Sequence, residues 1–597
     1  MMGPMHRRAF LETSARLFVV TAVAAGLPAC GDETAPAAEP VYDGDARLVF
    51  PQGLASGDPT PDSVVLWTRV EPKNVADAPP EIEVSYEVAS DPDFRSVVAE
   101  GKVVVEAASD HTLRLEVNGL LPYRHYFYRF VALGARTDAG RTKTAPLPDE
   151  DVAVRFAFAS CQDFNGRYFH GWETMANDDA VAPIDFVLFL GDYIYETAAD
   201  PRFQDEVPGR SITIADGLVI DPESGAKAAL TLSDYRSLYK QYRSDEHLRR
   251  AHALFPFVCI WDDHEFADDS WQDHATHFNE LMGDEKDSSR RSAANRAWFE
   301  FLPSRAVYRE GADFPGDLRI YRSLRFGKHV DLLLTDQRSY RDDHLVPEGP
   351  KLDAVGKIGE NTALGSRNFL VKETYDQLEA AASVSLLGAE QREWFIGALN
   401  QATATWKLWA SSTQVAQMAV DLTPFADLPP MFRKAFYFSV DQWDGYRSER
   451  AALLRSVAEA GQKNLIVLSG DIHAFYASQL YVDFDAPAEA VGVEFVVGAL
   501  SSTPVQEITK RTIAGSPTLT ALGLADLVPQ FDELLGAASP HYVYRNSQLN
   551  GFAIAEVNAL TFEVELVQLD GVTDLVAPTP KRVRFRVAAG SNTLVRV

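Results

Sequence analysis

The sequence predicts an α/β protein with an N-terminal all-β domain. Four segments between residues 45 and 147 are rich in β-formers and separated by turn residues, which is typical of strands; they are SVVLWTRV, EIEVSYEV, TLRLEV and YFYRFVAL. From residue 148 onward, short apolar runs alternate with helical stretches, as in α/β domains. The chain has 597 residues, which is more than one typical hydrophobic core accommodates, so two or more domains are expected.

The first segment of the chain resembles a twin-arginine signal peptide. Arg7 and Arg8 precede an apolar run over residues 17–27. That run is too short and too rich in small residues to be read first as a membrane-spanning helix, although a buried helix of the mature protein remains the alternative. We therefore expect residues 1–30 to direct export by the twin-arginine translocase. The folded chain would then be periplasmic, extracellular or lipid-anchored at the cell surface.

The end of this segment raises the question of a lipid anchor. Cys30 closes the sequence LPAC, where a lipoprotein cysteine would lie, but Pro28 replaces the small or β-branched residue that a lipobox usually has. Lipidation of Cys30 is therefore left open. Residues 31–44 are rich in small residues and Pro, which suits a linker to the folded domain.

Residues 45–147 are predicted to form an immunoglobulin- or fibronectin-III-like β-sandwich. The segment LLPYRHYFYRF resembles the fibronectin-III pattern Leu-x-Pro-x-Thr-x-Tyr, with Arg124 in place of Thr. Tyr126 would then be the tyrosine of a tyrosine corner. The aromatic residues of this domain are expected in its core rather than on a ligand surface.

Residues 148–597 are predicted to form an α/β domain whose polar loops gather at one sheet edge. Apolar runs end in polar residues in VRFAFASCQD, DFVLFLGDYIYE, FPFVCIWDDHE, HVDLLLTDQRSYR, WKLWASSTQ, NLIVLSGDIHAF and VEFVVGALSSTP. Side chains that follow strands can converge at one edge although they are distant in sequence. Residues 198–228 are interpreted as an inserted loop near that edge.

The residues at these strand ends form an inventory of metal ligands. They are Cys161, Asp192, Tyr195, Asp262, Asp263, His264, Glu265, Asp471 and His473. Thiolate, phenolate and imidazole groups suit a transition metal, whereas carboxylates suit calcium. A single carboxylate at a strand end is usually a cap or turn residue. Repetition of the pattern at several strand ends favours a metal site.

Several of these motifs resemble those of calcineurin-like metallophosphoesterases. GDYIY matches the Gly-Asp-x-x-Tyr of purple acid phosphatases, WDDHE stands in place of Gly-Asn-His-Glu, and SGDIH in place of Gly-His-x-His. Together with Cys161 in ASCQD, these substitutions are the pattern of PhoD-type alkaline phosphatases and phosphodiesterases. The resemblance continues through LASGDPTPDSVVLWTRV, LTDQRSYR, LGAEQREWF and GALSSTP, and so covers essentially the whole chain.

The resemblance implies a layered metallophosphoesterase sandwich of the α+β type that holds one Fe³⁺ and two Ca²⁺ ions. The implied ligands are Cys161, Asp192, Tyr195 and His473 for iron, and Asp192, Asp263 and Asp471 for calcium. This chain has FADDSW where the family often has Asn-Asn-Trp. Calcium would therefore gain Asp268 or Asp269 as a ligand, or use neither.

Two further residues have roles outside the metal site. The resemblance implies that His264 faces phosphate and donates a proton to the leaving oxygen; the alternative is a structural pairing with Asp262 or Glu265. Arg338 in LTDQRSYR either neutralises phosphate or holds Asp336 in an ion pair.

The activity that the resemblance implies is that of an exported, metal-dependent alkaline phosphatase. It would hydrolyse small phosphate mono- or diesters by attack of a metal-bound hydroxide and release inorganic phosphate. One alternative is a phospholipase D-like diesterase, and another is a surface binding or adhesion protein with structural metals. The formal net charge of −29 argues against nonspecific nucleic-acid binding. Separately, we expect the protein to be a monomer.

The cysteine content excludes a disulfide framework, because the chain has only Cys30, Cys161 and Cys259. A single bridge between Cys161 and Cys259 and separate roles for the two both remain open. Cys259 lies inside the apolar run FPFVCIW, where a small buried thiol is common.

Overall fold

The computed structural model describes most of the chain after residue 43. The described residues are 18–21, 44–73, 79–201, 203–275, 285–346, 356–358, 361–363, 367–430 and 432–597. Arg7, Arg8, Cys30 and all but one residue of the predicted linker lie outside these ranges, so the twin-arginine motif and the anchor stay predictions; of the predicted leader, only residues 18–21 are described. Within the described ranges, no helix has the length and apolar character needed to cross a membrane.

The larger of the two main sheets has eleven strands and runs through both predicted domains. Its spatial order is Phe18–Thr21, Thr112–Asn118, Ser63–Arg69, Leu54–Gly57, Pro256–Ile260, Phe186–Leu190, Val154–Ala159, Asn550–Val557, Thr561–Leu569, Lys581–Ala588 and Leu594–Arg596. Pro256–Ile260 pairs in parallel with Leu54–Gly57, so strands of the N-terminal part extend the sheet of the α/β part. The division between residues 147 and 148 stays a prediction, but it does not separate two independent sheets.

The second main sheet has seven strands and packs on the first. Its order is Arg322–Phe326, Val330–Leu334, Trp406–Ala410, Leu465–Ser469, Gly492–Val496, Phe475–Leu480 and Tyr542–Asn546. One buried cluster contains side chains of both sheets, and Phe186 stacks on Phe326 with ring centroids 4.2 Å apart. A parallel bridge between Ser160 and Ala499 joins the sheets directly before Cys161. This arrangement brings the strand ends of both sheets to one edge.

The N-terminal part also has a smaller sheet of its own. Its strands are Val97–Glu106, Glu81–Ala89, His125–Ala132 and Ala135–Arg136, with Gly140–Lys143 paired to His125–Ala132. A separate cluster of buried apolar side chains fills the space beneath it. The Tyr126 hydroxyl accepts a hydrogen bond of 2.8 Å from the Leu121 N–H, which is the contact expected of a tyrosine corner.

The α-helices are Ala46–Val49, His170–Val181, Leu232–Tyr242, Glu246–Leu254, Ser288–Phe301, Lys372–Ala380, Gly388–Gln401, Arg447–Glu459, Val505–Gly515, Pro517–Ala521 and Phe531–Ala538. The helices Leu232–Tyr242 and Glu246–Leu254 are separated by a break at residues 243–245. Asp245 explains the break, because its carboxylate accepts hydrogen bonds from the N–H groups of His247 and Leu248 and so caps the second helix.

The rest of the α/β part contains short strands that form small sheets separate from the two main ones. The predicted insert contains a three-stranded sheet in the order Thr197–Ala198, Ala226–Ala228 and Leu218–Asp221. A second three-stranded sheet has the order Asn368–Val371, Ala435–Ser439 and Ala419–Asp421. The remaining pairs are His274–Ala275 with Glu285–Lys286, Val307–Tyr308 with Leu318–Arg319, and Gly356–Ile358 with Asn361–Ala363.

Candidate metal centre

Four predicted ligands have a left-handed backbone at the sheet edge. The φ angles are 56° at Cys161, 57° at Asp192, 65° at Asp471 and 54° at His473. This conformation is uncommon for residues with a side chain and is retained where the surroundings enforce it, frequently at functional sites. Gly191 permits the loop that carries Asp192 to approach the loop that carries Asp262, because a Cβ at residue 191 would lie 2.6 Å from the Cβ of Asp262.

The four residues implied for iron lie together and are buried. Ligand atoms of Cys161, Asp192 and His473 all lie within 4.8 Å of one another. The Tyr195 hydroxyl lies 2.9 Å from His473 Nε2 and 3.3 Å from Asp192 Oδ2. Cys161 and Cys259 are both free thiols, so the bridge between them does not form.

His473 is oriented by a backbone carbonyl. Its Nδ1 donates a 2.6 Å hydrogen bond to the carbonyl oxygen of Thr503, which leaves the Nε2 lone pair facing Tyr195. Burial lowers the pKa of His473 to about 4, and a neutral imidazole is the form that binds metals. A carbonyl behind the ring is the usual way in which proteins orient a histidine ligand.

A group of carboxylates adjoins this cluster and centres on Asp263. Potential ligand atoms lie within 4.8 Å of one another in three sets: Asp192, Asp263 and His264; Asp262, Asp263 and Asp471; and Asp263, Asp269 and Asp441. The structure thus brings together all the carboxylates predicted for calcium. It also places Asp269, one of the two residues in FADDSW that were left open, beside Asp263.

The chemistry of the carboxylate group fits bound cations. Asp192 Oδ1 and Asp262 Oδ2 are buried and have no hydrogen-bond partner among the described residues. Burial, followed by the charge of Asp263, raises the pKa of Asp192 well above its usual range. Burial and neighbouring carboxylates also raise the pKa values of Asp471 and Asp269 well above their usual range. A cation among these oxygens would stabilise their charged forms and satisfy the unpaired atoms.

Asp441 belongs to this group but was not among the predicted ligands. Although burial opposes its charge, Arg338 and Arg341 hold the pKa of Asp441 well below its usual range. His344 Nε2 lies 2.7 Å from its Oδ1. The segment AFYFSVD does carry the common pattern, since Asp441 lies two residues beyond the strand Ala435–Ser439.

Glu265 holds two ligand loops together rather than facing the ligand cluster. Its carboxylate accepts hydrogen bonds from three backbone N–H groups: Asp192 at 3.1 Å, Tyr193 at 2.6 Å and Asp262 at 2.8 Å. These donors belong to the ends of two adjacent parallel strands. Glu265 therefore fixes the spacing of those two loops.

His264 pairs with Glu196, which the sequence did not single out. The distance from His264 Nδ1 to Glu196 Oε2 is 2.7 Å, and the second oxygen of Glu196 accepts the Asp268 N–H at 2.9 Å. Among the described residues, neither Asp262 nor Glu265, the alternative partners considered from the sequence, forms a hydrogen bond or ion pair with the ring. Burial lowers the pKa of His264, but Glu196 and Asp263 outweigh it and the net pKa lies well above the usual value.

Arg338 is fully buried among the carboxylates. It donates from Nε to Asp262 Oδ1, and its Nη1 lies 2.9 Å from Asp441 Oδ2. Its Nη2 lies 3.7 Å from Asp263 Oδ2 and 3.9 Å from Asp471 Oδ2. Of the two alternatives for Arg338, the ion pair with Asp336 does not form, and Asp336 Oδ1 accepts the backbone N–H of Arg338 at 3.0 Å. Contact with a substrate stays a prediction.

Sequence comparison places the whole arrangement in a family. The family model described as "PhoD-like phosphatase" matches residues 156–566, and the one described as "PhoD-like phosphatase, N-terminal domain" matches residues 35–146. The chain belongs to the PhoD-like phosphatase family. The resemblance inferred from the motifs is therefore confirmed.

Two relatives of this PhoD-like phosphatase extend the match to nearly the full chain. It is 32% identical over 468 residues to alkaline phosphatase D of Bacillus subtilis (strain 168). The aligned region covers 76% of this chain and 69% of the relative. A solved structure described as "Structure of PhoD" has a TM-score of 0.72 and 28% identity, over 92% of each chain. The protein is accordingly a phosphoesterase with a mixed α/β fold.

Proposed function

We propose that this PhoD-like phosphatase is an exported, metal-dependent alkaline phosphatase that hydrolyses phosphate mono- or diesters and releases inorganic phosphate. One observation carries the proposal: a thiol, a phenol and an imidazole converge on Asp192, directly beside a group of buried carboxylates. The thiol, phenol and imidazole suit a transition metal, and the adjacent carboxylates suit calcium, so one site offers separate ligand sets to two classes of metal.

Cys161, Asp192, Tyr195 and His473 would hold one Fe³⁺ ion. Asp192 would bridge to Ca²⁺, which Asp263 and Asp471 would also bind. The set of Asp263, Asp269 and Asp441 would hold a second Ca²⁺. When bound, these ions supply Lewis acidity to the phosphoryl group and generate the nucleophile.

His264 would act as the general acid. Glu196 engages its Nδ1, so Nε2, which lies 3.8 Å from Asp268 Oδ1, is the nitrogen that would present a proton. In the proposed site that proton goes to the oxygen of the leaving alcohol. The ring is held in place between the Tyr195 ring, at a centroid distance of 4.0 Å, and Phe203.

Arg338 and Glu265 would organise the site, and contact of Arg338 with the phosphoryl group stays a prediction. Arg338 offsets part of the charge of four carboxylates, and its Nη2 has no hydrogen-bond partner among the described residues. Glu265 keeps the Asp192 and Asp262 loops in register. Export by the twin-arginine translocase and a monomeric state are parts of the proposal that rest on sequence, and lipidation of Cys30 is left open.

The other functions considered have weaker support. No observation in the described residues favours a phospholipase D-like diesterase over a monoesterase. A surface adhesion protein would not need the His264–Glu196 pair beside the carboxylates. Metal analysis combined with one assay on nitrophenyl phosphate tests the proposal: iron, calcium and turnover are expected together, whereas metals without turnover would contradict it.

A further inference from the structure

The first part of the 198–228 insert lies against His264. The ring of Phe203 meets the imidazole edge-on, with ring centroids 6.2 Å apart and an interplanar angle of 79°. Tyr195 packs on the same imidazole at 4.0 Å, so His264 has an aromatic ring from the insert as well as one from the ligand loop. Phe203 is half-buried.

The backbone of Phe203 is fixed to the metal-ligand loops. Its carbonyl oxygen accepts a hydrogen bond from the Thr503 hydroxyl, and Thr503 also orients His473 through its own carbonyl. Arg167 donates to the same Phe203 oxygen at 3.4 Å. The aromatic ring is thus anchored through the residue that positions a predicted iron ligand.

The local turn adds to this rigidity. The side chain of Gln204 accepts the Asp200 N–H at 3.1 Å and donates to the Thr197 carbonyl at 3.0 Å. Asp205 pairs with Arg511 at 2.9 Å, which ties the insert to the helix Val505–Gly515. These contacts fix the backbone of the turn that carries Phe203, and a backbone fixed in advance loses little conformational entropy when a ligand packs against that turn.

We propose that Phe203 determines specificity by binding aromatic leaving groups. The inference rests on the proposed function, in which His264 faces the oxygen of the leaving alcohol, so that the alcohol's substituent extends toward Phe203. An aromatic substituent gains an edge-to-face or offset contact with the Phe203 ring, together with removal of apolar surface from water. A polyhydroxy alcohol such as glycerol gains neither and keeps its hydration. The substrate class assigned to this chain is therefore aryl phosphate esters.

The test compares phenyl phosphate with glycerol 3-phosphate in Phe203 variants. We expect the ratio of their kcat/KM values to fall roughly 2- to 10-fold in Phe203→Ala, the range for loss of one aromatic contact. Phe203→Tyr should retain the wild-type ratio, and Phe203→Leu, which nearly keeps the volume and so the fold, should lower it. Phe425→Ala removes a half-buried ring that packs in a separate cluster and should leave the ratio unchanged. An unchanged ratio in both Phe203→Ala and Phe203→Leu overturns the inference.

Binding separates this inference from the proposed function. Calorimetry with phenylphosphonate and methylphosphonate reports the aromatic preference without turnover. We expect the metal-loaded wild type to bind phenylphosphonate more tightly, and Phe203→Ala to lose that difference. An enzyme that shows this pattern but hydrolyses no ester contradicts the proposed function alone. An active enzyme with equal affinity for both phosphonates contradicts the role of Phe203 alone.

Discussion

Glu196 Oε2 lies 2.7 Å from His264 Nδ1, and both side chains are buried. The contact determines which ring nitrogen is available to a substrate, because Nδ1 is already engaged. A carboxylate in this place also stabilises the protonated imidazole, as charged hydrogen-bond partners generally do. In the proposed mechanism, the pair would prepare His264 to donate a proton from Nε2.

The first prediction concerns the charge of Glu196. Glu196→Gln retains a hydrogen-bonding side chain but removes the charge that stabilises protonated His264. We expect turnover of alkyl esters to fall by about tenfold, within the contribution of a general acid, with a smaller loss for nitrophenyl esters. Glu563→Gln, which alters an exposed cross-strand ion pair, serves as the control. Equal losses for both ester classes would argue that Glu196 only supports the fold.

The second prediction concerns His264 itself. His264→Ala should retain its metals and still bind inorganic phosphate, because the histidine is not among the proposed metal ligands. Turnover of alkyl esters should fall by roughly 10²–10⁴, the usual cost of a missing general acid. Nitrophenyl esters should lose less, since their oxygen leaves readily as an anion. Loss of metal from this variant would show that His264 is a ligand or its support.

The third prediction concerns the thiol ligand. Cys161→Ala should lose iron and the visible absorption that a phenolate–iron bond produces, while remaining folded by circular dichroism. Cys259→Ala is a matched control, because Cys259 is an equally buried free thiol in the strand Pro256–Ile260. If Cys161→Ala keeps full iron content and absorption, the assignment of the thiolate is wrong.

The fourth prediction concerns calcium and a residue that sequence motifs did not indicate. Asp441→Asn should lower the calcium content by one ion per chain while iron is retained, because Asp441 belongs to only one of the three carboxylate sets. Asp483→Asn changes an exposed acid and should leave both metals in place.

A calcium-selective chelator should abolish turnover, and added calcium should restore it. Indifference to the chelator would point to another second metal.

The fifth prediction concerns the carboxylate that joins the ligand loops. Glu265→Ala leaves three backbone N–H groups without their acceptor. Since one buried donor without a partner costs roughly 1–3 kcal/mol, three such donors should lower the free energy of unfolding by about 3–9 kcal/mol. Denaturant unfolding in the presence of a chelator measures this effect apart from metal binding. A loss equal to that of the exposed Glu563→Ala would contradict the role assigned to Glu265.

The clustering of the residues in the candidate metal centre was largely predictable, because these residues follow apolar strands. Cys161, Asp192 and Asp471 each come two residues after a strand ends, and parallel strands bring such positions together. The family motifs then distinguished ligand positions from ordinary turn residues. Asp441 has the same local pattern but lies outside the two main sheets, so only the three-dimensional structure places it in the site.

Other features depend on contacts that a linear pattern does not contain. Glu196 directly follows the motif GDYIY, but its pairing with His264 depends on how two loops meet. The guanidinium of Arg338 reaches Asp262 and Asp441, whereas Asp336 Oδ1 accepts the backbone N–H of Arg338. The shared eleven-stranded sheet was likewise not predictable, since strand alternation indicates strands but not their partners across domains.

An anomalous-scattering map of the crystallised protein, recorded above and below the iron absorption edge, tests the central claim most directly. The account predicts one iron peak among Cys161, Asp192, Tyr195 and His473. It also predicts two peaks without an iron-edge signal, one beside Asp263 and Asp471 and the other beside Asp269 and Asp441. Zinc at the thiolate position, or no metal between the Asp263 and Asp441 carboxylates, would contradict the proposed iron–calcium centre.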